Sequence, residues 1–196
     1  MTNAVSKVMA MGFLVAMQAG AESANKIQVC VNAGNDTPQI VLLRAEALTS
    51  RMLATAGVAV KWHSDGCPAR DAIIIDFTSG KPSSHHPDAL AYAQVYESVH
   101  IVVLFDRVQS AAGGSIRLCS ILAHVMTHEI THLLEGVGRH SATGVMKAHW
   151  SPKDFDLMES GCLPFASEDL LLIRLSMERR ASGLAAAALT DTAAPR

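Results

Sequence analysis

The sequence predicts an α+β domain: a twisted, mostly parallel or mixed sheet, one helix backing it, and a second, buried helix that carries the chemically loaded residues. Three observations lead there. Short alternating or wholly apolar segments recur around 26–36, 58–64, 72–77, 90–95 and 100–105, with the length and β-branched content of strands. Between the first two, Ile40, Leu43, Ala47, Leu48, Met52 and Leu53 recur at helical spacing. From Ile116 to Glu135, Leu118, Ile121, Leu122, Val125, Ile130 and Leu133 put apolar groups around more than one side of a helix, as in a helix with little contact with water.

Taken in order, Lys26 to Asp36 reads as the first strand and a turn, because alternation breaks at Asn-Ala-Gly-Asn-Asp. Thr37-Pro38 starts a helix of about five turns that stops at Gly57. Val58 to Ser64 and Ala72 to Phe77 are the next strands. Ser79 to Asp88 is loop chemistry, and His85 and His86 within it read as solvated rather than ligating. Leu90 to Val95 and His100 to Phe105 form an antiparallel hairpin around Tyr96-Glu97-Ser98, the second strand being the more buried. Ser115 is placed to cap the buried helix, and Gly136 and Gly138 end it. Trp150-Ser151-Pro152 opens a loop, Ser167 to Arg179 is a last helix, and the Ala-rich stretch 181–196 reads as a flexible tail.

At 196 residues, 49% of them hydrophobic and 17% charged, the chain has enough material for one domain, here residues 25–180, and little of the character of a disordered one. A net charge of −2 excludes the electrostatic footprint of a nucleic-acid binder. Residues 1–21 read as a signal peptide: Lys7, an apolar run from Val8 to Gly20, then Ala19-Gly20-Ala21, with cleavage between 21 and 24. The run is short for a membrane span, so the expected destination is secreted or periplasmic, with no stable membrane insertion after signal removal. In such a compartment Cys30, Cys67, Cys119 and Cys162 permit up to two disulfides. Their spacing leaves all three pairings open, as well as buried free thiols.

The chemistry gathers at residues 124–146, HVMTHEITHLLEGVGRHSATGVM. His128, Glu129 and His132 form HExxH, and on a helix the four-residue spacing stacks both imidazoles on one face, one turn apart, where they can share a zinc ion. Glu129 lies near the same edge, placed to act as general base on water without ligating the metal. His140 follows a glycine-containing turn and completes a three-histidine set that leaves a fourth position to water. Glu159, Glu168 and Glu178 are the alternatives for a third ligand. His124, one turn before His128, is expected to support the site rather than ligate, because a fourth histidine would close it. Met146 could floor the site or simply fill core.

These residues resemble the metzincin clan of zinc endopeptidases, in which HExxH, a third histidine after a glycine turn and a methionine turn surround the metal. The resemblance implies a zincin-like fold, Zn2+ held by His128, His132 and His140, Glu129 as general base and proton shuttle, Met146 as the methionine of the turn, and a peptide or protein substrate. The clan's usual spacing is HExxHxxGxxH; here Glu135 stands at the glycine position and the turn before His140 is longer by two residues. The stretch is more similar to a group of exported bacterial proteins with the pattern HExxHLLxGxxxHSxxGIM and a tryptophan soon after, matched by His132 to Met146 and Trp150 with Val145 for Ile. The expected function is therefore an exported zinc-dependent metallopeptidase. An exported zinc-containing binding protein without catalysis is the alternative.

Overall fold

A computed structural model describes residues 25–34, 36–64, 66–67, 71–79, 89–94 and 99–192. The leader, His85 and His86, the hairpin turn and the last four residues lie outside the described residues.

The strands are β1 (Lys26–Asn32), β2 (Ala59–His63), β3 (Ile73–Thr78), β4 (Ala91–Ala93) and β5 (His100–Leu104). They form one sheet in the order β2-β1-β3-β5-β4. The first four in that order run parallel, and β4 pairs antiparallel with β5 at the edge, Tyr92 opposite Val102. The expected mixed sheet and its hairpin are both present. Ile27, Val29, Val31, Ile73, Ile75, Ile101 and Val103 are all buried and alternate along their strands, so they share one face of the pleat.

Helices α1 (Gln39–Thr55), α2 (Phe105–Ala112), α3 (Ser115–Glu135), α4 (Pro152–Ser160) and α5 (Ser167–Thr192) complete the fold. Helix α3 packs against all four other helices and against β4 and β5. Its central position explains a sequence apolar on nearly every side: Ile121, Leu122, Ala123, Val125, Met126, Ile130 and Leu134 are all buried. Its buried threonines are satisfied locally, Thr127 donating to the Ala123 carbonyl at 2.8 Å and Thr131 to that of Thr127 at 2.7 Å.

Four boundaries differ from the sequence reading. Phe105 leaves the sheet and begins α2, burying Phe105, Val108 and Ala112 on one face. Helix α3 starts at Ser115 itself, with Gly114 at the N-cap. Helix α5 does not end at Arg179 before a tail but runs on to Thr192, through a stretch where alanine, the best helix former, dominates.

The fourth is α4, in a stretch that reads as loop. Its start is a capping box: Ser151 accepts from the Asp154 amide at 3.3 Å while Asp154 accepts from the Ser151 amide at 2.7 Å, with Pro152 in the first turn. Burial alone would raise the Asp154 pKa, but hydrogen bonds from Lys147 and Ser151 outweigh it and hold the group down at about 2. A folded-state pKa below the ordinary 3.8 stabilises the fold above that pH and loses its contribution as pH falls from there towards 2. Asp154→Ala is expected to cost about 1–2 kcal/mol at neutral pH. Denaturant titrations should show that difference vanishing between about pH 4 and pH 2; a pH-independent difference would show that the carboxylate charge is not what matters.

One disulfide joins Cys30 of β1 to Cys67, just past β2, while Cys119 and Cys162 are free thiols. Among the described residues no helix is long and apolar enough to cross a membrane.

Candidate metal centre

Helix α3 delivers His128, Glu129 and His132 to the floor of a cleft of about 740 Å³ whose walls include Leu90, Tyr92, Trp150 and Phe155. The two α3 imidazoles approach with Nε2 atoms 3.0 Å apart. Each ring is oriented from its far side: Nδ1 of His128 donates to the Val145 carbonyl at 2.9 Å, and Nδ1 of His132 to the Val137 carbonyl at 3.3 Å. Those bonds select the tautomer in which Nε2 of each ring carries a lone pair pointing into the cleft.

His140 comes back to this pair despite the longer turn. Gly136 ends α3 in the left-handed conformation at φ 69°, and the chain reverses so that the His140 ring centroid lies 5.3 Å from that of His128 and 4.9 Å from that of His132. A nitrogen from each ring falls within a mutual 4.8 Å, a cluster able to hold a metal ion. His128 and His132 are buried, and His140 is the exposed member.

The electrostatics favour neutral rings. Burial, then the neighbouring His132, push the His128 pKa down to about 3. His132 is pushed down to about 4 by burial and then by His140, and His140 is lowered by burial and then by His149. Neutral imidazole is the form that ligates. Burial raises Glu129 to about 8, opposed by the Ala93 amide, which donates to its carboxylate.

These residues fit zinc. Two lone pairs held 3.0 Å apart repel unless a cation sits with them, and nitrogens about 2.0–2.1 Å from a tetrahedral zinc stand roughly 3.3 Å from one another. The donors are three neutral imidazoles, the borderline-soft set that zinc accepts. His124 does not join them. Its Nδ1 donates to the Ser120 carbonyl at 2.7 Å and its Nε2 accepts from the Leu163 amide at 3.0 Å, so both nitrogens serve to tie α3 to the chain after α4. The glutamates considered as third ligands also lie elsewhere: Glu159 pairs with Arg117 at 2.7 Å, Glu168 reaches Arg139 at 3.4 Å, and Glu178 lines a different hollow beside α1.

A second layer comes from the turn around Met146, itself fully buried. Gly144 adopts φ 78°, and a Cβ there would collide with the Pro164 carbonyl. That glycine sets the path of Val145, whose amide donates to Pro164 at 2.9 Å and whose carbonyl accepts from both His128 and Trp150. Sequence reasoning missed three participants. Ala93 is too small and bland to attract notice, and His149 lines the cleft without lying in a motif. Asp169, fully buried, was masked by its more visible neighbour Glu168. A capping signal was available for it, since Asp169 accepts from the Ala166 amide at the start of α5.

No protein-family model matches the sequence, and no curated protein matches it. Among solved structures the fold is similar to the crystal structure of archaemetzincin from Methanopyrus kandleri, with 17% identity over 79% of this chain and 97% of that chain and a TM-score of 0.55. The architecture is thus zincin-like. The likeness is one of fold; it is the three-histidine cluster, by its own donor set, that fits zinc.

Proposed function

We propose that the protein is an exported zinc-dependent metallopeptidase that hydrolyses peptide bonds, with His128, His132 and His140 as metal ligands and Glu129 as general base. The observation that carries this reading is the meeting of four groups in one cleft: the three histidines, and a carboxylate that is not part of their cluster, beside the edge strand β4. The leader-like run at residues 1–21 supports export.

A zinc ion bound there supplies Lewis acidity toward a carbonyl group and toward water. The chain's own residues do the rest. Glu129, held by the Ala93 amide and returned to its carboxylate form by the positive charge of the bound ion, takes a proton from the attacking water and returns it to the leaving amine. Strand β4 offers a template for the substrate. Leu90 and Gln94 make their backbone bonds to β5, so the alternation of an antiparallel pair turns the backbone groups of Ala91 and the carbonyl of Ala93 outward, where an extended peptide can add as a strand while the Ala93 amide stays on Glu129. Trp150 and Phe155, packed edge-to-face at 6.3 Å, give side chains of that peptide an aromatic wall.

The engagement of both His124 nitrogens elsewhere favours an enzyme over a closed zinc-binding protein, because three histidines leave a coordination position for water or substrate. Purified mature protein is expected to carry about one zinc per chain by elemental analysis, in keeping with a single three-ligand site. It should cleave a broad peptide library, lose that activity to a chelator and regain it with zinc. Tightly held zinc without cleavage would establish the binding-protein reading, and absence of metal would defeat both.

A further inference from the structure

We propose that Asp169 is the positioning residue for His140, acting through the two residues that flank it. The inference rests on the reading of His140 as a ligand. His128 and His132 stand on a rigid helix, and each has its ring locked by a backbone carbonyl. His140 has neither advantage: it sits in a loop, exposed, and its ring makes no hydrogen bond among the described residues. Something else must hold it in place.

That something is one carboxylate oxygen. Oδ1 of Asp169 accepts from Arg139 Nη2 at 2.9 Å and from Ser141 Oγ at 2.5 Å, the residues immediately before and after His140. The two arms are braced against each other, Arg139 Nη1 donating to Ser141 Oγ at 3.2 Å. The hub itself is fixed: Asp169 is fully buried in the first turn of α5, and its Oδ2 accepts from the Ala166 amide at 2.9 Å. Ser141 is held a second time, its amide donating to the Met146 carbonyl at 2.8 Å. The backbone carrying His140 is therefore pinned on both sides to α5.

Arg139 also explains how a longer turn stays ordered. Its Nε lies 3.8 Å from Glu135 Oε2, beyond hydrogen-bond reach, and both Glu135 oxygens are buried without a hydrogen-bond partner. Glu135 thus offsets charge, while Asp169 supplies geometry. The five residues from Glu135 to Arg139 form a span that leaves the end of α3 and returns to the start of α5, with the guanidinium closing the gap. Groups that orient metal ligands typically contribute 10–100-fold to metal affinity.

The test compares zinc affinity by chelator competition, and the visible spectrum of the cobalt(II)-substituted protein, across variants of the full mature chain. Asp169→Ala is expected to weaken zinc binding by about 10–100-fold and to shift the cobalt bands towards those of His140→Ala. Glu168→Ala, removing a carboxylate that is 69% exposed on the same arginine, should match wild type. If Asp169→Ala does not fold, Ser141→Ala and Arg139→Ala each remove one arm, and each should weaken zinc binding and move the spectrum in the same direction, with Arg139→Lys partly restoring both. Folded arm or hub variants with wild-type affinity and spectrum would overturn the proposal while leaving the ligand assignment standing. A wild-type protein that binds no metal would instead remove the ligand reading and this inference with it.

Discussion

Glu129→Gln is expected to lower peptide hydrolysis by about 10²- to 10⁴-fold, the usual contribution of a positioned general base, with zinc content unchanged. The substitution is close to isosteric, and its amide oxygen can still accept from the Ala93 amide that holds the native carboxylate. What it loses is the capacity to take a proton. Because Glu129 is not among the three clustered nitrogen donors, its replacement should leave the affinity for the ion intact. A variant that keeps full turnover would defeat the assignment. One that loses zinc together with activity would recast Glu129 as part of the metal's own support.

The second large effect falls on stability. Gly144→Ala is expected to cost about 2–5 kcal/mol, combining the left-handed φ that an alanine resists with an overlap against backbone that cannot rotate away. Moving Val145 would also withdraw the carbonyl that orients the His128 ring. Thermal unfolding should therefore fall by several degrees, and the apo protein should rebind zinc more weakly. An unchanged midpoint would mean that the Pro164 segment yields easily.

Much of this site is legible in the sequence because its geometry is local. His128 and His132 lie one helical turn apart on a helix whose apolar pattern runs for about twenty residues, and a signal of that length survives the noise of single positions. The strands read well because their apolar runs are short and dense: β3 and β5 are each about one strand length of mostly β-branched residues. Elements with little to bury do not. Helix α4 buries only Met158, so its apolar pattern is weak, and the Ser151-Pro152-Lys153-Asp154 start signal outranks periodicity there. Helix α2 follows β5 without an intervening turn, and Phe105 serves the apolar pattern of either element.

What stays hidden is whatever depends on residues far apart in the chain. The Ala93–Glu129 hydrogen bond, the Asp169 hub and the choice of Cys67 as the partner of Cys30 all follow from tertiary placement. The turn length before His140 is a middle case. Two added residues look like a threat to ligation when counted, and become a reach of the right span once Arg139 is seen to close on Asp169.

The Cys30–Cys67 bridge makes the durability of this fold depend on where the chain is. It spans 37 residues and ties β1 to the segment that follows the edge strand β2, a loop closure contributing about 3–4 kcal/mol against the unfolded state, in a domain whose whole stability is of order 5–15 kcal/mol. Where thiols are kept reduced, the same sequence is easier to unravel; where they oxidise, it is locked. Unfolding with and without a thiol reductant measures that difference directly. Maturation of the protein thus calls on two chemical inputs besides folding itself, an oxidant for the cysteines of the first three strands' region and an ion for the histidines that follow much later in the chain.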